Sequence, residues 1–400
     1  MRLSIAICLM LGLSCSQLSA SDDASVICSR LVNDGFENVK VCCINQHKTI
    51  VQLEDNHYHS ISYGLAQALR LISPDAEAND TIELVALENK VPKITVTTVH
   101  TVTGWQIDTR YGGVNCPQLD RLTANNNSSY RLDIVVYPDI TFSNYRYDRL
   151  WSVATYLSPA LEMSLWQGAK VTAQLKVPIW NNYADHDYGK LRPGYVSLQQ
   201  QILSDQQWNV SAAAGLFSLD RYGIDVRGYY HLSTRFDVGM IAGITGSSYD
   251  NVNDDLKFGA VNSVNLLACA SYFEPRYNLQ IDLKGGRFVH DDYGVRLDLL
   301  RHYRDYAIGF YGCLSDYGTN LGFQFSVPMG PKKMGCRRAA RVRLPRAYYF
   351  SFNENTNSNK EHTFEDITQL YQTAPDQTPS SRYWQPELIK DNILYYLESE

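Results

Sequence analysis

One stretch of the chain carries the residue types that metal chemistry needs: Glu54-Asp55-Asn56-His57-Tyr58-His59. On an extended strand His57 and His59 share a face, and with Glu54 they form a nitrogen and oxygen donor set suited to a divalent transition metal. A polar turn ahead of a helix accounts for the same residues more simply, so no metal and no cofactor is assigned. Ser60 stands beside His59, too close in sequence to make a nucleophile–base pair with it. No G-x-S-x-G, phosphate-binding loop or spaced metal motif occurs, and the chain reads as a non-enzyme.

A second set of candidates is dispersed: Lys170, Lys176, Asp225, Arg227, Asp282, Lys284, Arg296 and Asp298. Each falls at alternate positions of a segment whose other positions are apolar. Ala169, Val171, Ala173, Leu175, Val177 and Ile179 oppose Lys170, Thr172, Gln174 and Lys176. Tyr277, Leu279, Ile281 and Leu283 oppose Asn278, Gln280, Asp282 and Lys284. Successive side chains of a strand point to opposite faces, so each segment has one apolar and one charged face. Lining the lumen of a barrel, these charges would guide a sugar chain or an ion; the polar interior common to such barrels accounts for them equally well.

The elements that must position these groups fall into blocks. Residues 1–21 read as a secretory signal, with Arg2, an apolar run from Leu3 to Leu13 and a cleavage site after Ala20 or Ser21. A rival reading takes Gly12-Leu13-Ser14-Cys15 as a lipoprotein site. Residues 22–105 read as a small α/β domain: a hairpin of Val39–Val41 with Thr49–Leu53, a helix over Ser62–Ile72, and strands at Ile82–Leu87 and Ile94–Val99. Val51–Asn56 is faintly echoed by Val85–Lys90. Residues 106–130, with Gly112-Gly113 and Asn125-Asn126-Asn127-Ser128-Ser129, have linker composition. The cysteines past the signal allow a disulfide from Cys28 to Cys42 or Cys43, or are small buried residues.

Residues 131–329 alternate apolar and polar for about 12 strands with no helix between them, the pattern of an antiparallel up-and-down transmembrane β-barrel. The 28 tyrosines against 13 phenylalanines suit a membrane–water interface. No apolar run after Ser21 is long enough for a membrane helix, so a spanning structure must be a closed barrel. Asn320-Leu321-Gly322-Phe323-Gln324-Phe325-Ser326-Val327 resembles the assembly signal of a last barrel strand, carried by Asn320, Gly322, Phe325 and Val327. That implies contact with the barrel-assembly machinery and leaves 330–400 as a polar tail after the barrel. The tail opens with Lys332, Lys333, Arg337, Arg338, Arg341, Arg343 and Arg346, a solvated basic stretch or a contact for anionic lipid or polysaccharide. Pro386–Leu397 is expected to form a short helix. A net charge of −6 with no basic helix or stripe gives no sign of nucleic acid.

Several segments resemble the YjbH-like outer-membrane proteins. They are Leu165–Lys170 running on to Val177-Pro178-Ile179-Trp180-Asn181, Arg192-Pro193-Gly194-Tyr195, Asp220–Asp225 and Gly243–Ser248. Leu53-Glu54-Asp55-Asn56 and Leu87-Glu88-Asn89 are similar to that family's small periplasmic domain. The resemblance implies a non-catalytic role in exopolysaccharide or capsule biosynthesis and export, beside other export proteins, in the outer membrane of a Gram-negative cell with the small domain and tail in the periplasm. Two other readings stand beside it: a general porin or solute channel embedded in outer-membrane lipid, and a secreted carbohydrate-binding β-sandwich.

Overall fold

The computed structural model describes residues 23–45, 47–75, 80–101, 104–143, 152–182, 189–249, 256–355, 367–376 and 384–399. The signal and Cys15 lie outside the described residues. The fold is mainly β, built on two sheets.

The first sheet has five strands in chain order: β1 (Glu37–Asn45), β2 (Lys48–Glu54), β3 (Thr81–Glu88), β4 (Val91–Thr101) and β5 (Gly104–Tyr111). A helix over 23–34, α1, precedes it. Strands β2 and β3 run parallel, so their connection must cross over, and α2 (Ile61–Ile72) makes that crossing. The α2 helix starts where the Ser60 hydroxyl accepts from the Tyr63 amide. Leu65, Ala68, Leu69 and Ile72, at helical spacing, all sit in the core against the sheet.

The interval 106–130 is not a linker. It holds most of β5 and a short helix, α3 (Pro117–Arg121), which covers the second face of the five-stranded sheet. Gly112-Gly113 has a packing role: a side chain on Gly112, whose φ is +75°, would strike the Asp205 backbone.

The second sheet has fourteen strands. Twelve of them, β6 (Leu132–Ser143) through β17 (Gly318–Pro328), pair antiparallel each with the next. The sheet continues beyond the expected last strand. β18 (Ala340–Arg343) lies parallel to β6, and β19 (Ala347–Asn355) lies antiparallel to β17. Residues 340–355, assigned above to a polar tail, therefore pair with both edges of the twelve-stranded run. The hydrogen-bonded order is open, because no ladder joins β18 to β19; Leu344-Pro345-Arg346 separates them, and proline has no amide to donate.

The faces of this sheet are inverted relative to a soluble protein. Glu162, Thr172, Asp225, Asn265, Asp298 and Gln324 are buried, while their neighbours Leu161, Ile224, Val226, Leu266, Leu297 and Phe323 are exposed. The polar face is concave and covered; the apolar face looks outward.

Five of the sheet's turns are two to four residues long and meet the small domain. Gly168 donates to the Asn89 carbonyl at 2.8 Å, and Gly112 rests on Asp205. The other three turns bind the C-terminal helix α4 (Pro386–Ser399): Thr234 to Glu387 at 2.9 Å, Asn278 to Asp391 at 3.0 Å, and Asp305 from Tyr396 at 2.6 Å. The other side of α4 packs on α2 and adds Ile389, Ile393 and Tyr396 to the small domain's core.

Candidate functional site: a polar cavity under the curved sheet

Alternation places charges two residues apart on the same face, where they meet. Asp225 binds Arg227 at 2.7 Å and Arg296 binds Asp298 at 2.9 Å, each pair along its own strand. Across the ladder between β14 (Leu279–Arg287) and β15 (Tyr293–Tyr303), Asp282 stands opposite Asp298 and Lys284 opposite Arg296. Like charges directly opposed repel. The side chains relieve this diagonally, with Lys284 reaching Asp298 at 3.5 Å, while Asp282 accepts from Gln280 and Ser271. Gln324 donates to Asp298 at 3.0 Å, and the Arg296 guanidinium lies 4.1 Å above the Tyr311 ring. Asp298 is thus a buried carboxylate that Arg296, Lys284 and Gln324 all reach.

Seven of the eight charged candidates, Lys170, Asp225, Arg227, Asp282, Lys284, Arg296 and Asp298, line one cavity of about 720 Å³. Lys176 does not; it pairs with Asp139 at 3.0 Å and borders a separate small recess. Of the expected assembly-signal residues, Asn320 and Gly322 face inward with Gln324. Phe325 and Val327 alternate to the outer side, where Phe325 packs on Phe350 of β19. The aromatic position of the motif therefore meets a further strand of the same sheet.

Residues 367–376 cross the concave face, and nothing in the sequence reading singled them out. Tyr371 is almost fully buried and donates to Asp225 at 3.1 Å and Asn265 at 2.8 Å. Its main chain is held as well: Asp292 accepts from the Thr368 amide at 2.7 Å, Ser197 donates to the Thr373 carbonyl at 2.6 Å, and Ser218 accepts from the Gln372 amide at 2.7 Å. The strap begins with Ile367 beside Tyr311 and Cys313. It ends with Asp376 in the cavity lining that also holds Lys170 and Arg343.

The basic stretch after residue 330 divides: Lys332, Lys333 and Arg338 are exposed, whereas three of its arginines are drawn into ion pairs. Arg337 binds Glu37 at 2.6 Å; Arg341 and Arg343 bind Asp133 at 2.9 and 3.2 Å; Arg343 also reaches Glu162 at 3.3 Å. The acids that neutralise it come from β1, β6 and β7 (Ser152–Ser164), 181 to 300 residues earlier in the chain. Such partners leave no local sequence signal.

Glu54, His57 and His59 do not converge. The Glu54 carboxylate accepts from Asn38, Asn56, Ser128 and the amides of Asn89 and Lys90 in the β3–β4 turn. Burial, with Glu37 nearby, raises its pKa. His59 faces Asp305 at 3.5 Å. The His57 ring packs on Gly35 and edge-on to Tyr58, and burial followed by the Lys333 charge lowers its pKa to about 4. Among the described residues no group of three histidine, cysteine or acidic side chains is placed to hold a metal ion.

No protein-family model matches the chain, and no curated protein matches it.

Proposed function

We propose that the chain is a non-enzymatic outer-membrane β-barrel that assists exopolysaccharide or capsule biosynthesis and export, its fourteen strands closing where β18 meets β19. The inverted sheet carries this reading: apolar side chains exposed, charged side chains buried around a cavity. In water an exposed apolar face of this extent costs roughly 25 cal/mol for each Å² left unburied, whereas lipid is its natural solvent. A soluble β-sandwich presents the opposite arrangement, apolar inside and polar out.

The rims support the same reading. Trp166, Trp208, Tyr277, Tyr303 and Tyr306 are exposed at the end that meets the small domain; Trp180, Phe258 and Tyr293 are exposed at the other. Aromatic rings with one apolar and one polar edge collect at the two interfaces of a bilayer. The short turns on the domain side match the periplasmic turns of such barrels, which supports a periplasmic small domain and α4. The role with polysaccharide rests on the resemblance to YjbH-like proteins. An open porin is the weaker reading, because the strap and the paired charges occupy the lumen.

Outer membranes run on a detergent gel with and without boiling test the barrel: a boiling-dependent shift is expected, and recovery in the soluble fraction without a shift defeats it. Deletion of the gene is expected to reduce cell-bound or secreted polysaccharide while solute uptake is unchanged. Normal polysaccharide with altered permeability would replace this role with that of a channel.

A further inference from the structure

The second face of the five-stranded sheet has a small core. It consists of Cys42, Ile50, Val85, Leu87, Cys116 and Leu119, with Val114 against it. Among the described residues the segment around α3 packs on this face, and α3 is five residues long. Two of the six core residues are cysteines, one on β1 and the other the N-cap of α3. Cys42 donates to Gln118, two residues on from Cys116, at 3.5 Å, and the two cysteines pack in the same small core. The other nearby thiols are turned away. Cys43, on the opposite pleat, accepts from Thr49, and Cys28 accepts from Asn125 at 3.1 Å.

We propose that Cys42 and Cys116 form a disulfide that staples β1 to the α3 segment. The oxidising compartment rests on the export reading above; the pairing itself rests on the packing. A linkage from Cys28 to Cys42 or Cys43, the alternative suggested by spacing alone, would pull Cys28 off Asn125 or reach across the sheet.

The redox step balances by thiol–disulfide exchange. One thiol loses its proton and attacks the disulfide of a thiol–disulfide oxidoreductase, giving a mixed disulfide. The second thiolate then displaces the oxidoreductase, which departs as a dithiol carrying the two electrons and two protons. Both cysteines are more than nine-tenths buried, and burial pushes the Cys42 thiol upward. Exchange needs an accessible thiolate, so the bond forms while this face is still open and resists reductant once the face closes.

Maleimide mass-tagging of the exported full-length protein in denaturant, before and after reduction, tests the proposal. The mature chain has seven cysteines. Two fewer tags are expected without reduction, with one cross-linked peptide pair containing Cys42 and Cys116. Cys116→Ser and Cys116→Ala restore tagging of Cys42, while Cys43→Ser leaves the cross-link intact. Reduction in denaturant before refolding is expected to lower the urea midpoint of the small domain by about 1–2 M, the effect of opening a loop this long. Full tagging of protein recovered from the envelope fraction would overturn the disulfide and leave the barrel standing. Refolding purified protein with oxidised glutathione is independent of export: it is expected to give the same cross-link, and a different pairing or none would overturn the proposal even if the barrel reading had already failed.

Discussion

Asp298 gathers several side chains of the cavity: Arg296, Lys284 and Gln324 all reach it, and Tyr349 reaches Gln324. Removing one member of a buried ionic network leaves the other charges unpaired in a poorly solvated space. Asp298→Ala is expected to cost about 3–5 kcal/mol of barrel stability, seen as a lower urea midpoint for loss of the heat-modifiable form. Asp298→Leu combined with Arg296→Met is expected to restore much of that loss, because both charges of the pair go together. In the small domain, His57 makes a separate contribution. It is 2% exposed, and its pKa is lowered from 6.5 to about 4. Below pH 6.5 the unfolded chain takes up a proton that the folded domain refuses. Stability conferred by neutral His57 is therefore complete above pH 6.5 and lost as the pH falls toward 4, by about 3 kcal/mol in all. The stability difference between wild type and His57→Phe, measured by urea unfolding at pH 7.5 and 4.5, is expected to shift by that order in favour of the variant at the lower pH.

Among the elements, the strap depends on a close approach that only glycine permits. A Cβ on Gly243 would come within 1.9 Å of the Tyr371 hydroxyl and 2.6 Å of Asn265. Gly243→Leu is expected to expel Tyr371 from its seat between Asp225 and Asn265 and expose residues 367–376 to limited proteolysis, with the heat-modifiable form retained. Protection equal to wild type would mean that the strap is held mainly by its other contacts. What the sequence revealed divides along similar lines. Strands such as Ala169–Asn181 and Leu279–Arg287 were legible because alternation is a local signal, and the charges at alternate positions duly share one face. The helix Ile61–Ile72 was legible from its period, and Pro386–Ser399 from its flanking proline and apolar spacing. The strap was not, since Gln369–Ala374 has no period and its partners lie on several different strands. β18 and β19 were hidden by Pro345 and by arginines whose acids come from the other end of the chain, and β5 by glycines that resemble a linker.

At the scale of the whole molecule, the proposed barrel makes the strap the element that would set whether its interior conducts. Residues 367–376 line the cavity, and Tyr371 pairs with its charges at Asp225 and Arg227. Excision of 367–376 is expected to raise single-channel conductance in planar bilayers severalfold over wild type while leaving the boiling-dependent shift intact. Unchanged conductance would show that the paired charges, rather than the strap, close the lumen.

The helix α4 has a consequence for the order of events after synthesis. With Trp384 just before it, it supplies Ile389, Ile393 and Tyr396 to a core whose other buried members come before the large sheet, and the Thr109 hydroxyl and Arg70 bind its backbone. The small domain is thus interrupted by the entire sheet, and closing that gap of roughly 250 residues costs on the order of 5 kcal/mol in chain entropy unless the sheet has already folded and brought its ends together. The small domain, begun before the sheet in the chain, is therefore completed only by a helix that follows it. A chain that stopped short of Pro386 would lack this final contact, leaving apolar surface on α2 exposed as a built-in mark of an unfinished molecule.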